Sequence, residues 1–342
     1  MRQRSPLPSG EGDQDAAAPA ASVGPTTSGP GPGAPPETAR DIQGARGRHR
    51  KDSLPAGLLR TARPRQWVKN VLVFAAPGAA GVLGHPGPFL RTLAAFGIFC
   101  VTASGIYFVN DALDQAADRL HPTKRYRPVA SGVVPINLAY AVGGGLMVAG
   151  ILLALLVNGQ LALVMAIYVG ITFAYNLWLK DEAVVDLAAV ASGFVLRAIA
   201  GGVAAGVVLS NWFLIVASFG SLFMVAGKRH AEHLDLGDGR EDHRATLGQY
   251  SLSFLRYVRS VASAVAIAGY CVWAFEKAAV AGHGAIWFQL SIAPFVLAVL
   301  RYALLLDAGK GGAPEDIVLG DRPIELMGAA WIFLFALGVY AV

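Results

Sequence analysis

Long apolar runs, separated by short polar segments, fill most of the chain from residue 68 onward. Runs of about 18 residues or more can cross the hydrocarbon core of a bilayer as α-helices. The predicted spans are 68–84, 90–109, 138–157, 161–178, 185–206, 212–228, 256–275, 285–305 and 325–342. The pattern therefore predicts an all-α, polytopic membrane protein with about nine transmembrane helices.

The N-terminal segment does not follow this pattern. Residues 1–53 are rich in proline, glycine, alanine and serine, and they become basic towards their end. A segment of this composition buries too little apolar surface to fold by itself. We predict a disordered cytoplasmic tail at 1–53 and one transmembrane domain at 54–342.

Composition and charge agree with a membrane protein. The chain is 54% hydrophobic and only 15% charged, with a net charge of +5. Lysine and arginine concentrate in the predicted loops 110–137, 179–184, 229–255 and 306–324. By the positive-inside rule these loops and the N-terminus face the cytoplasm at the cell (plasma) membrane. The net charge is thus a topology signal, and we expect no nucleic-acid partner.

A dense group of charges follows the second predicted span, in the stretch Asn110–Arg127. On one helix, Asp111, Asp114 and Asp118 would lie within an arc of about 60°. Such a row suits Mg²⁺, which accepts one or two carboxylates and takes its other ligands from waters and phosphates. The alternative is a solvated loop in which the acids pair with neighbouring cations.

The same stretch carries a recognisable motif. Its N-D-x-x-D-x-x-x-D pattern, followed by Lys124 and Arg127-Pro128, resembles the first motif of the UbiA superfamily of intramembrane prenyltransferases. The runs RPRQWVKN, GKRHAE and RPIELM are similar to the branch of that superfamily that transfers phosphoribosyl groups to decaprenyl phosphate. The resemblance covers roughly residues 60–342 and implies a UbiA-like bundle with cytoplasmic loops capping the site.

The second motif region departs from many members of the superfamily. It reads YNLWLKDEAVVD and contains Tyr175, Lys180, Asp181 and Asp186. Where others carry D-x-x-x-D, these two aspartates would point about 140° apart on a helix. The resemblance implies instead that Lys180 binds phosphate and that Asp186 supports a metal or a cation. This departure suits the phosphoribosyl branch.

Three further cations are candidates. Arg197 is predicted to lie deep in the fifth span, where burying a charge is energetically unfavourable. An anionic lipid headgroup and an acid on a neighbouring helix are both open as its partner. Lys228 and Arg229 end the sixth span, and the resemblance favours them as phosphate contacts. The charged loop beyond them is either solvated or a lid over substrate.

The resemblance implies Mg²⁺-dependent transfer of 5-phosphoribosyl from phosphoribosyl diphosphate to a polyprenyl phosphate, such as decaprenyl phosphate. Diphosphate would be released, and the product would feed arabinan, and hence arabinogalactan, synthesis for the cell wall. The implied catalytic and metal residues are Asp111, Asp114 and Asp118. The implied substrate-binding residues are Lys69, Asn70, Asn110, Lys124, Arg127, Tyr175, Lys180, Asp186, Arg197, Lys228 and Arg229.

Two other classes stay open. An aromatic prenyltransferase with an isoprenoid diphosphate donor would usually carry two aspartate rows. A transporter would more often place its charges near the bilayer midplane, whereas these charges lie at helix mouths. Glycine-rich faces at 143–145 and 200–206 permit close helix packing and are compatible with a homo-oligomer.

Overall fold

A computed structural model describes residues 53–236, 245–309, 317–318 and 320–340. The predicted tail, apart from Ser53, and residues 237–244 of the charged loop after the sixth predicted span lie outside these residues. The α-helices are α1 (Leu54–Ala62), α2 (Ala75–Ala79), α3 (Pro86–Leu113), α4 (Gln115–Leu120), α5 (Ile136–Val157), α6 (Gly159–Leu177), α7 (Val185–Ala205), α8 (Asn211–Leu236), α9 (Ala245–Gln249), α10 (Leu252–Val280), α11 (Ala285–Asp307) and α12 (Arg322–Tyr340). Short 3₁₀ helices connect several of them, and the described residues contain no strand. The all-α prediction is confirmed.

Eight described helices are long and apolar enough to cross a membrane: α3, α5, α6, α7, α8, α10, α11 and α12. They coincide with the second to the ninth predicted spans. Several are longer than predicted. Polar residues near the end of a helix lower the local hydropathy, so the predicted span stops there although the helix continues. Large apolar side chains such as Leu156 and Leu326 remain exposed on the outer faces, as lipid contact requires.

The first predicted span, 68–84, is not an α-helix. A 3₁₀ helix covers Pro64–Phe74, and the short α2 follows it. Four contacts join this 3₁₀ segment and the residue before it to α3 in antiparallel order. They are Arg63 to Asp111, Trp67 to Ser104, Asn70 to Cys100, and Phe74 to Phe96. The segment therefore runs beside α3 over about 20 Å in 3₁₀ form, and it is not among the eight described helices that are long and apolar enough to cross a membrane.

Glycines let the segment and the helices approach closely. A Cβ atom at Gly201 of α7 would lie 1.7 Å from the carbonyl oxygen of Val73, so only glycine fits there. Gly105 of α3 and Gly143 of α5 likewise allow their helices to approach closely. A Cβ atom on either residue would lie less than 3 Å from the carbonyl oxygen of the other. Such contacts replace the hydrophobic driving force that is missing in lipid.

Separate apolar clusters hold the bundle together. One packs α3, α6 and α7 around Phe99, Leu161 and Met165. An aromatic cluster that includes Tyr270 and Trp273 joins α10 to α11 and α12. Charged side chains gather instead at the end of the bundle where α3, α6 and α8 finish and α10 begins, which we call the charged end.

Candidate active site

The aspartates of the first motif meet two arginines at the charged end. Asp111 and Asp118 are only 2% and 3% exposed. Arg127 donates through one nitrogen, Nη1, to Asp118 Oδ2 at 2.8 Å and to Asp111 Oδ1 at 3.4 Å. Arg63 donates to the same oxygen of Asp111. Two buried carboxylates thus share the charge of two guanidinium groups.

Asp114 lies apart from this pair. The helix is interrupted at Asp114, where α3 ends at Leu113 and α4 begins at Gln115. The backbone N–H of Asp118 still donates to the Asp114 carbonyl oxygen at 2.8 Å, so the interruption is a short turn. Asp114 is exposed. The three acids therefore do not form one row on a continuous helix, and two of them face Arg127.

Sequence reasoning did not select Arg63. It stands between α1 and the 3₁₀ segment in a left-handed conformation, with φ 52° and ψ 59°. A non-glycine residue is strained there, and such strain clusters at functional sites. The guanidinium also lies 4.8 Å from the ring centre of Tyr107. The sequence feature that could have indicated Arg63 is its position as the first residue of the RPRQWVKN run.

A cavity of about 240 Å³ opens beside Asp111. Its lining residues are Arg60, Arg63, Asp111, Thr123, Tyr126, Arg127 and Pro128. The lining thus includes three arginines and one aspartate, and Arg63 and Arg127 both pair with Asp111. Lys124 belongs to the same loop, in a 3₁₀ turn, and is exposed.

A second cluster surrounds Asp186, which is fully buried. Arg229, itself buried, donates to it at 3.0 Å. The same guanidinium donates to Glu232 at 2.8 Å and to the hydroxyl of Tyr175 at 3.3 Å. Tyr250 donates to the other oxygen of Asp186. Burial and this hydrogen bond raise the pKa of Tyr250, so the hydroxyl stays protonated at neutral pH.

One hydrogen bond joins the first motif to the second. Asn176 Nδ2 donates to Asn110 Oδ1 at 2.7 Å. Asn176 is adjacent to Tyr175, so the two charged clusters lie at the same end of the bundle. The sequence predicted Asn110 and Tyr175 but did not select Asn176, because an asparagine at a helix end carries no specific signal.

The remaining predicted cations differ in setting. Lys180 and Asp181 lie in a 3₁₀ turn after α6, and Asp181 is exposed. Lys228 is exposed on α8, with its Nζ atom 3.9 Å from Glu232. Lys69 is half-buried on the 3₁₀ segment.

Arg197 and Asn70 meet farther from the charged end. Arg197 donates to Asn70 Oδ1 at 2.8 Å, to the Tyr168 hydroxyl at 2.9 Å and to the Gly193 carbonyl oxygen at 2.6 Å. Asn70 in turn donates to Cys100. All these partners are neutral, whereas the sequence offered an acid or a lipid headgroup. The contacts tie α7 to the 3₁₀ segment.

The first motif also has the donor chemistry for a divalent metal. No group of three or more His, Cys, Asp and Glu side chains is close enough to hold one among the described residues. Asp111 and Asp118 nevertheless converge on a single cationic nitrogen, and Mg²⁺ needs only one or two carboxylates when phosphates and waters supply the rest. The pair therefore fits a magnesium–phosphate site.

These features define a class: a polytopic helical membrane protein with a site of aspartates and arginines at one end of the bundle. The chain belongs to the UbiA prenyltransferase family, which matches residues 71–319. It is an integral membrane protein.

Individual relatives indicate which members of the family this chain is similar to. The chain is 47% identical to the decaprenyl-phosphate phosphoribosyltransferase of Mycobacterium tuberculosis, over 82% of this chain and 93% of that protein. It is 43% identical to the decaprenyl-phosphate phosphoribosyltransferase of Corynebacterium glutamicum, over 84% of this chain and 88% of that protein. A solved UbiA homolog from Archaeoglobus fulgidus, bound to DMAPP and Mg²⁺, has the same fold. Its TM-score is 0.63 at 17% identity, covering 83% of this chain and 99% of that one.

Proposed function

We propose that this protein transfers the 5-phosphoribosyl group of phosphoribosyl diphosphate to a polyprenyl phosphate, with decaprenyl phosphate as the acceptor. The similar proteins named above carry this activity in their names and match most of the chain. The observation that carries the proposal is the arginine-lined cavity beside Asp111. A phosphorylated sugar donor needs such a cationic pocket next to its diphosphate site.

The reaction needs binding and charge compensation more than proton transfer. The C1–O bond to the diphosphate breaks, and an oxygen of the acceptor phosphate forms the new bond to C1. That oxygen is already ionised at neutral pH, so no strong general base is required. Positive charge develops at C1 as in other glycosyl transfers. Positioned charges and orientation supply most of the catalysis.

Asp111 and Asp118 are the proposed magnesium ligands, with the exposed Asp114 beside them. A bound Mg²⁺ would stabilise the negative charge on the leaving diphosphate. The A. fulgidus homolog, bound to a diphosphate and Mg²⁺, supports divalent metal use in this fold. Arg63 and Arg127 balance the aspartates in the absence of the ion and can face the phosphates when it binds.

Other predicted side chains have supporting roles in this proposal. Lys124, Lys180 and Lys228 would contact substrate phosphates from the rim of the charged end. Asp186 would hold Arg229 in place beside Tyr175. Asn70 and Arg197 would shape the inner wall against which the acceptor lies, and its isoprenoid chain would leave between helices into lipid.

The proposed location is the plasma membrane, with the charged end in the cytoplasm. Among the described residues, the loop cations Arg127 and Arg229 lie at this end, whereas Arg91 and Lys277 lie towards the other. By the positive-inside rule, this imbalance supports an orientation with the charged end inside. The donor is a soluble cytosolic metabolite, so this orientation puts the site where the donor is made. The product is expected to feed arabinan synthesis.

A donor-swap assay tests the function. We expect purified protein in detergent with Mg²⁺ to move label from phosphoribosyl diphosphate to decaprenyl phosphate. Asp111→Asn should lower the rate by about 100-fold or more, because it removes a charge that the metal requires. Circular dichroism should show unchanged helix content in that variant.

The alternatives have distinct outcomes. Transfer from an isoprenoid diphosphate to an aromatic acid, with none from phosphoribosyl diphosphate, would identify an aromatic prenyltransferase. Movement of ions or lipids in vesicles, without either transfer, would identify a transporter. Either result contradicts the proposed function.

A further inference from the structure

A short connector before α10 is anchored on the second motif. It consists of α9 and Tyr250, and it contacts the turn that joins α6 to α7, residues 178–184, which we call the second-motif turn. Thr246 of α9 is fully buried and donates through Oγ1 to the carbonyl oxygen of Lys180 at 3.2 Å. The Tyr250 hydroxyl accepts a hydrogen bond from the backbone N–H of Val184 at 2.6 Å. The connector therefore holds the turn near its beginning and at its end.

Val184 has a backbone conformation that valine rarely adopts. Its φ of 68° and ψ of −43° lie near those of the strained form of the γ-turn, and a β-branched residue at positive φ is an outlier. Its side chain is exposed, so packing of that side chain does not account for the conformation. Strained backbone persists only where surrounding contacts hold it. The hydrogen bond from the Val184 N–H to Tyr250 supplies such a contact.

The conformation of the turn decides where the polar groups of the second motif lie. Asp186 follows Val184 by two residues, and the same Tyr250 hydroxyl donates to Asp186 Oδ1. A phenol can donate one hydrogen bond while it accepts another, so one hydroxyl serves both contacts. The other oxygen of Asp186 accepts from Arg229 at 3.0 Å. A shift of the turn would therefore displace Lys180 and the Asp186–Arg229 pair together.

We propose that Tyr250 is a positioning residue for the transfer reaction, because its hydroxyl holds the strained turn and so keeps Lys180 and the Asp186–Arg229 pair beside the donor phosphates. The inference rests on the proposed function and adds to it a residue that acts through the turn. Tyr250 is itself well fixed. It is only 3% exposed, belongs to an apolar cluster with Leu187 and Leu255, and stacks on Phe254.

Tyr250→Phe tests the role of the hydroxyl, since it keeps the ring. In the full-length protein with Mg²⁺, we expect KM for phosphoribosyl diphosphate to rise about tenfold, which corresponds to about 1.4 kcal/mol of binding. KM for decaprenyl phosphate should stay within about twofold. Amide hydrogen exchange in the second-motif turn should become about tenfold faster, because the Val184 N–H loses its acceptor.

Tyr270→Phe is the matched control. Tyr270 is 4% exposed, and its hydroxyl also has two partners, Ser291 and Trp331. It lies in the aromatic cluster that joins α10 to α11 and α12. The two variants should lose similar thermal stability, because each removes two buried hydrogen bonds. Tyr270→Phe should nevertheless leave both KM values within about twofold of the wild type.

A second substitution tests the turn directly. Glycine adopts positive φ without steric cost. In the Tyr250→Phe background, Val184→Gly should therefore return KM for phosphoribosyl diphosphate to within about threefold of the wild type. Val185→Gly is the control for this rescue, because Val185 is also an exposed valine but begins α7 and is not at positive φ. It should restore nothing.

Several outcomes would overturn the inference. Unchanged KM and unchanged exchange in Tyr250→Phe would show that the hydroxyl does not hold the turn. An equal rise of KM in Tyr270→Phe would show that the effect reflects stability alone. A rise confined to KM for decaprenyl phosphate would mean that the turn positions the acceptor. Equal rescue by Val184→Gly and Val185→Gly would separate the effect from the strain at Val184.

Failure of the proposed function has a different signature. A wild type that transfers no phosphoribosyl group to decaprenyl phosphate rejects that function. The exchange measurement does not depend on activity, so it still decides whether Tyr250 holds the second-motif turn.

Discussion

Single charged residues in this protein differ in how much they depend on their partners. Arg229 and Arg259 are both buried arginines that pair with an aspartate. The partner of Arg229 is Asp186, which is fully buried, whereas the partner of Arg259 is Asp307, whose side chain is 54% exposed. Two donors of Arg259, Nε and Nη1, also have no hydrogen-bond acceptor within the described part of the chain. We therefore expect the loss of stability on removing each arginine to depend more on the burial of its aspartate partner than on the burial of the arginine itself.

Replacing each arginine by methionine tests this difference. Arg229→Met leaves Asp186 buried without its cation, and we expect about 3–5 kcal/mol of destabilisation. Arg259→Met leaves Asp307 in contact with solvent and removes unsatisfied donors, so we expect a change within about 1 kcal/mol. Melting temperatures in detergent measure both. Equal losses in the two variants would contradict the explanation.

Some individual site residues can be predicted from the sequence, whereas their contacts cannot. Asp111, Asp118 and Arg127 were all predicted, because their spacing belongs to a motif. Their pairing was not predicted, since it depends on the turn at Asp114 and on the loop that brings Arg127 back. Arg63 was not selected, because its contact with Asp111 joins residues far apart in the chain.

Among the elements, the 3₁₀ segment Pro64–Phe74 is the least expected. Hydropathy predicts a crossing here and cannot distinguish α from 3₁₀ geometry. Pro64 begins the segment, and its valines lower α-helix propensity. The 3₁₀ form is longer per residue, about 2 Å, so fewer residues cover the same depth beside α3. Packing against α3 and α7 then holds a geometry that is unfavourable alone.

Gly201→Ala tests the dependence of this segment on α7. The new Cβ atom would lie 1.7 Å from the Val73 carbonyl oxygen, so the segment must move. We expect about 2 kcal/mol or more of destabilisation and loss of activity, because Arg63 and Asn70 move with the segment. Thermal unfolding and transfer rate measure these effects.

Gly170→Ala is the control for that experiment. Gly170 lies within α6, and a Cβ atom there would meet nothing within 4 Å. Alanine favours helix over glycine by about 1 kcal/mol. Stability should therefore be unchanged or slightly higher. A comparable loss in both variants would indicate that glycine content in general matters, and not the contact at Gly201.

On the scale of the whole molecule, charge is separated from the apolar body. The buried ion pairs of the first and second motifs both lie at the charged end. The opposite end carries the aromatic cluster around Tyr270 and Trp273. This polarity suits a site that takes a water-soluble donor from one side and a lipid acceptor from within the bilayer.

Cysteine labelling tests the orientation. In a Cys100→Ala, Cys271→Ala background, Glu182→Cys marks the charged end and Val280→Cys marks the other. Both positions are exposed. A membrane-impermeant maleimide should label Val280→Cys in intact cells and Glu182→Cys only in inverted vesicles. The reverse pattern would place the charged end outside and contradict the proposed orientation.

The order of apolar and polar residues was enough to predict the helical class and the eight described helices that can cross a membrane. Those features depend on hydrophobicity and motif spacing, which are local properties of the chain. Tertiary packing decided the 3₁₀ form of Pro64–Phe74, the neutral partners of Arg197 and the cavity with three arginines beside Asp111. Each of these depends on residues that are distant in sequence and meet only when the helices pack. Short-range patterns carry no information about which partner a buried charge will find.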